Sequence, residues 1–351
     1  MNNAGIASFD IPKLMQGTRE VLWHAWVLDF FRMIDEVNRM APETTAILMQ
    51  AVDRRRVSYG GQTMDMPFGP VYATANYFDA GNFEMTRPFL DRFGISVTAE
   101  GLNPQDLELI LMPPTELDRS SYAIDHAGRE QSFAEIHSMA VSKEALAILK
   151  HLASGLSSCQ RAGSSWSDKH KSRFGSQRPA CDKDSCSFIP ARVACSQINE
   201  QGITSRGLLA LRDYSRALAW FLGKEMVDAE IMRIAFALTM SHRLSPTRIA
   251  MNGGESATEA TIGRSLFARQ TFDFPFHLWD MGAQAYAAQE NIYVGLNQLY
   301  KDVADGTKTP DALQAQSQTL ITQVDAMEDP AKWDILKSLH QLRQLIRANQ
   351  G

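Results

Sequence analysis

Phe30-Phe31-Arg32-Met33-Ile34-Asp35-Glu36 is the stretch on which the fold of this chain turns. The apolar run predicts a strand over Phe30 to Ile34, closed by two adjacent carboxylates. A strand ending on paired acids suits phosphoryl chemistry. The first carboxylate can hold Mg²⁺ through water, and the second can orient and polarise an attacking water. A solvated strand end carries the same residues, so the pair acquires meaning only from its surroundings. Arg32 interrupts a strand that should be buried on both faces. It is expected to face an edge or to meet a neutralising partner.

Outward from this point the chain alternates strands and helices, as in an α/β domain. Pro42 opens a helix with Ile47, Leu48, Ala51 and Val52 on one face. Arg54-Arg55-Arg56 reads as the end of that helix, where positive charge is favourable. Val57 to Met66, with Gly60-Gly61 in its middle, reads as a β-hairpin. Val71 to Ala75 is expected as a core strand, Gly94 to Val97 as a shorter one, and Pro104 as a helix start. Beyond Ser142 the pattern turns helical. Glu144 to Leu156 is one helix. A second, capped by Thr204 or Ser205 and closed by Gly223, carries Leu208, Leu209, Tyr214, Leu218 and Phe221. Asp228 caps a third, with Ile231, Ile234, Ala235 and Leu238 along one side. Met251 to Thr258 reads as a linker. Thr309-Pro310 and Asp329-Pro330 open later helices. Leu336, Leu339, Leu342 and Leu345 form a packing stripe near the C-terminus.

The ordered series Asp35-Glu36-Val37-Asn38-Arg39, the hairpin Val57-Ser58-Tyr59-Gly60-Gly61-Gln62, Val71-Tyr72-Ala73-Thr74-Ala75-Asn76 and Arg87-Pro88-Phe89-Leu90-Asp91-Arg92-Phe93 resembles the MoxR group of AAA+ ATPases. The resemblance runs from about Phe30 to Leu244. It implies that Asp35 and Glu36 are the Walker B pair. Asn76 then stands at sensor 1, aligning water with the γ-phosphate. Arg92 matches the arginine finger that reaches a neighbouring subunit's site, and Arg206, in Thr204-Ser205-Arg206-Gly207, matches sensor 2 and would bind nucleotide. A cation in a helix's first turn opposes the macrodipole, so Arg206 is better explained by an anion than by helix stability. The resemblance also implies ATP and Mg²⁺ as cofactors, a homo-oligomeric ring (a hexamer in the family) and a client remodelled by ATP hydrolysis. A partner bearing a von Willebrand factor A domain would accompany it.

One family element is absent. G-x-x-x-x-G-K-[ST], the Walker A pattern whose backbone cradles the phosphates, precedes Asp35 nowhere; Gly5 and Gly17 are the only glycines there. The expected architecture is therefore α/β: a partial P-loop NTPase core over residues 1–140, then an all-α lid over 141–250, then a helical C-terminal extension over 251–351. The natural protein is expected to begin upstream, or to be a degenerate relative, and this isolated chain is expected to be inactive. The rivals are a non-catalytic AAA+-derived scaffold and a metal- or redox-linked regulator.

The regulator reading rests on the polar insertion 157–198, which holds all four cysteines, Cys159-x21-Cys181-x4-Cys186-x8-Cys195. Four thiolates can complete a Zn²⁺ site or hold an iron–sulfur cluster. Free thiols are the alternative, since the compact C-x2-C pair is missing. The balance of 35 Lys and Arg against 40 Asp and Glu argues against a dedicated nucleic-acid binder. No apolar run approaches the roughly 18–20 residues that span a bilayer, and Met1 to Asp10 has no signal-peptide pattern. A cytoplasmic location is expected.

Overall fold

The computed structural model describes residues 6–40, 42–75, 85–99, 110–112, 126–157, 193, 195–198, 202–247, 250, 264–306, 308–327 and 332–348. It is helix-rich with few, short strands. The chain divides into two compact units, Met1–Phe93 and Gly94–Gly351.

The first unit is built from three two-stranded pieces. Strand β1 (Ala7–Phe9), helix α1 (Ile11–Met15) and strand β2 (Val21–Trp23) form an antiparallel pair with its connection. The short helix α2 (Ala25–Leu28) leads into β3 (Arg32–Ile34), and then α3 (Pro42–Arg54) into the hairpin β4 (Arg56–Tyr59) and β5 (Gln62–Asp65). Gly60 and Gly61 both take positive φ (56° and 83°), which the tight two-residue turn requires. Strand β6 (Val71–Ala73) lies parallel to β3, with Ile34 opposite Ala73, and α4 (Arg87–Leu90) follows. Two small cores result. Val21, Val27, Ala51 and Val57 belong to one, and Ile34, Leu48 and Phe89 to the other.

Several expectations change here. The strand expected from Phe30 begins only at Arg32, and the one expected to reach Ala75 ends at Ala73. One face of the latter packs on a core through Val71 and Ala73, while Tyr72 on the other face is exposed. With β3 paired only to β6 among the described residues, Phe31, Met33 and Tyr72 remain 65%, 60% and 55% exposed. The Phe31 and Tyr72 rings stack at 6.0 Å. Among the described residues Arg32 meets no acid at ion-pair distance. It is 2% exposed and donates from Nε to the Trp26 carbonyl (3.1 Å) and from Nη2 to those of Val27 (3.4 Å) and Pro67 (3.1 Å). Burial pushes its pKa down from the ordinary value, against the pull of Asp29. Of the arginine triplet, only Arg54 ends the helix. Arg55 turns left-handed (φ 50°), and Arg56 opens β4, bidentate to Asp65 across the hairpin at 2.6 and 3.2 Å.

The described residues of the second unit are mostly helical. In order it holds α5 (His126–Ser138), β7 (Ala140–Val141), α6 (Lys143–Ser157), α7 (Ser205–Phe221), β8 (Met226–Val227) and α8 (Ala229–Met240). Helices α9 (Arg264–Ala287), α10 (Glu290–Asp305), α11 (Pro310–Asp325) and α12 (Lys332–Ala348) follow. The caps are local. Thr204 Oγ1 accepts from the Gly207 amide at 3.0 Å, and an Asp228 carboxylate oxygen accepts from that of Ile231 at 2.8 Å. Thr309 caps α11, and Gly306 ends α10 left-handed at φ 62°. One core gathers Leu152, Leu211, Phe236 and Trp279 from α6 to α9. Arg233 on α8 is bidentate to Asp280 on α9 at 2.7 and 3.0 Å. A second core joins α10, α11 and α12 through Leu299, Leu320, Val324 and Leu339.

Two more expectations change in this unit, those for Gly94 to Val97 and for the stripe in α12, and α7 shows which of its apolar residues are buried. Gly94 to Val97 is not a strand. Its backbone bonds go elsewhere: the Gly94 carbonyl accepts from Arg243 at 3.0 Å, and the Ser96 amide donates to the Leu238 carbonyl at 2.9 Å. Helix α7 buries Gly207, Leu211, Ser215 and Ala219, whereas Leu208, Leu209, Tyr214 and Phe221 are exposed. In α12 the buried stripe is Ile335, Leu339, Leu342 and Ile346, and Leu345 is exposed. The expected helix start at Pro104, the linker 251–258, the Asp329-Pro330 signal, Asn76, Cys159, Cys181 and Cys186 lie outside the described residues.

Candidate functional site

The paired carboxylates stand at the C-terminal end of β3, beside the end of its parallel partner β6. In-register pairing of Ile34 with Ala73 carries Thr74 alongside Asp35. The Thr74 hydroxyl donates to Asp35 Oδ1 at 2.5 Å and accepts from the Glu36 amide at 2.8 Å. The Thr74 backbone closes the same turn. Its amide donates to the Ile34 carbonyl (2.9 Å), and its carbonyl accepts from the Val37 amide (2.8 Å). Thr74 thus fixes both the first carboxylate and the backbone of the second.

Glu36 needs that fixation. It sits left-handed at φ 48°, ψ 52°, a conformation that costs a non-glycine residue roughly 1–2 kcal/mol. Its carboxylate accepts from Arg39 Nη1 at 2.7 Å. Both side chains of that pair are largely solvated, so the pair is weak and readily released. The Asp35 carboxylate is exposed. A hard oxygen donor at a strand end, with one oxygen held by a hydroxyl, fits a hydrated Mg²⁺, which keeps several waters and takes one or two carboxylates.

Arg92 lies in the turn after α4 and is turned into its own unit. It donates to the Pro88 carbonyl and lies 3.5 Å from the Asp53 carboxylate on α3, with its side chain 17% exposed. Arg206 stands exposed in the first turn of α7, one residue before the capped Gly207 amide. Asp35, Glu36 and Arg92 are in the first unit and Arg206 in the second. Of the four cysteines only Cys195 is described. It opens a one-turn 3-10 helix, Cys195–Gln197, followed by the fully buried Ile198. Among the described residues no group of three or more His, Cys, Asp or Glu is placed to hold a metal, and no helix is long and apolar enough to cross a membrane. Thr74 is the site residue that motif reading passes over. Its signal is positional: two residues before Asn76, at the end of the strand that pairs with β3.

One family model matches part of the chain, from the end of the insertion onward. Residues 192–262 match the AAA lid domain. Helices α7 and α8 lie inside that span, as does Arg206. The match supports an AAA+ ATPase-type module. Among solved structures, a candidate ATPase from Cytophaga hutchinsonii is similar over 77% of this chain and 72% of its own, at 18% identity and a TM-score of 0.47. A likeness that low leaves the fold to be argued from the chain's own elements. No curated protein matches the sequence.

Proposed function

We propose that this chain is part of a MoxR-type AAA+ ATPase that couples ATP hydrolysis to remodelling of a partner protein. The observation that carries the proposal is the Thr74 clamp on Asp35 and Glu36 at the end of a parallel strand pair, in a chain with an AAA lid match. In this reading Asp35 holds the metal side of the nucleotide. Glu36 orients the attacking water once Arg39 releases it, and Asn76 aligns that water. Asp35 would hold a hydrated Mg²⁺, which would supply positive charge against the charge developing on the phosphates. Arg206 meets the nucleotide from the lid. Arg92 leaves Asp53 to enter a neighbouring subunit's site, which makes a ring the working state. A von Willebrand factor A domain partner belongs to the same family expectation. So does the three-part division at residues 140 and 250.

A P-loop is required for that chemistry, and the 351 residues contain no G-x-x-x-x-G-K-[ST]. The chain by itself is therefore expected to bind ATP weakly and to hydrolyse none. The same sequence observation favours a second reading, an AAA+-derived scaffold that docks without turnover. The four-cysteine metal staple rests on the sequence of the insertion alone. The deciding experiment uses a P-loop-bearing form. There Glu36→Gln should retain ATP and lower turnover at least 100-fold in a radiolabelled phosphate-release assay. Unaltered turnover would refute the roles given to Asp35 and Glu36. No turnover in the unsubstituted P-loop-bearing form would favour the scaffold.

A further inference from the structure

Away from the paired carboxylates, helices α6, α10 and α12 enclose a cleft of about 330 Å³. That lies at the lower end of the roughly 300–1,000 Å³ typical of small-ligand sites. Its composition is lopsided. Lys143 and Lys150 line it from α6, and no Asp or Glu does so among the described residues. The two lysines are seven residues apart, two helical turns, so they stand on one face roughly 10 Å from each other. A cleft with charge of one sign and low-dielectric walls concentrates counter-ions of the other sign.

The deeper lining is of a different kind. His151 is fully buried and Ser154 nearly so, both on the α6 face that carries Lys143 and Lys150. His151 Nδ1 lies 3.3 Å from the Tyr293 hydroxyl of α10, which ties the two walls together with polar groups. Ile335 of α12, with Leu146 and Leu296, supplies apolar surface. Apolar walls with a few convergent polar groups and a cationic mouth are the recognition pattern for a ligand with one anionic end and a hydrocarbon body.

We propose that this cleft binds a small amphipathic organic anion. Its carboxylate or phosphate head lies between Lys143 and Lys150, and its apolar body lies against Leu146 and Ile335. The site is independent of the ATPase reading, because it shares no residue with it. The test is isothermal titration calorimetry on the full chain with octanoate, octyl phosphate, octanol and inorganic phosphate. Saturable one-to-one binding of octanoate or octyl phosphate is expected, and whichever binds more tightly identifies the head group. Octanol and inorganic phosphate should each bind at least tenfold more weakly. The double variant Lys143→Glu, Lys150→Glu, at two exposed positions, should weaken the amphiphile at least tenfold with the circular dichroism spectrum unchanged. Leu146→Trp, at a 43% exposed position, should narrow the cleft and also weaken it. The proposal fails if neither amphiphile binds saturably, if octanol binds as tightly, or if the lysine variant binds as the parent does.

Discussion

The N-terminal unit and the helical unit solve the problem of cohesion differently. In the helical unit, stability comes from large apolar interiors. Among the described residues eighteen buried ones, including Phe236 and Trp279 with rings 5.6 Å apart, form one core, and eleven more form the other. In the N-terminal unit the corresponding groups hold seven and five among the described residues. A buried guanidinium takes over part of the task there. Arg32 ties α2, the Pro67 loop and β3 together through three carbonyls. Burying a charge without an acid partner is costly unless its donors are used. The contrast teaches that the smaller unit divides its apolar interior into two small clusters and adds directed polar bonds from one buried guanidinium, whereas the helical unit gathers its interior into larger cores.

That contrast can be broken experimentally. The largest effect is expected from Phe236→Ala, which empties the centre of the bigger core and should cost about 3–5 kcal/mol. Hydrogen exchange read by mass spectrometry should show lost protection confined to Gly94–Gly351. Equal loss in Met1–Phe93 would mean that the units unfold as one. Next comes Arg32→Met, which keeps the volume and leaves buried carbonyls without donors, at roughly 2–3 kcal/mol. Its exchange signature should be confined to the N-terminal unit, with earlier opening around Trp26 and Pro67. A neutral result would show that packing, not the guanidinium, holds this unit.

The smallest effect concerns acid stability of the helical bundle. Asp302 is held below the ordinary carboxylate range, first by the Lys308 ammonium 2.7 Å from its Oδ2 and then by its hydrogen bond with Gln298. The group's folded pKa is depressed, so its contribution is fully present above the unfolded value of 3.8. It is lost as pH falls through the folded value. Asp302→Asn should therefore lower the melting temperature near neutrality and flatten the acid limb below about pH 4, so that the two profiles converge in acid. An unchanged acid limb would remove Asp302 from the account.

The sequence by itself determined what depends on neighbours three or four residues away. Asp228 and Thr309 were legible as caps, and Thr204 as one of two candidates with Ser205, because such side chains bond amides in their own first turn. Gly60-Gly61 was legible as a turn because only glycine takes those two φ values cheaply. The Asp35-Glu36 pair was legible as a strand end for a similar local reason. Tertiary structure alone decided what depends on who lies opposite. Gly94 to Val97 has strand-like residues but no strand beside it among the described residues, and its bonds go to Arg243 and Leu238. Helix α7 has apolar residues all round, so only its neighbours could select Leu211 and Ala219 for burial over Leu208 and Phe221. Thr74 is an ordinary threonine until parallel pairing sets it against Asp35. A hydrogen bond across 39 residues of chain leaves no periodic trace, because its register is set by strand pairing and not by local spacing.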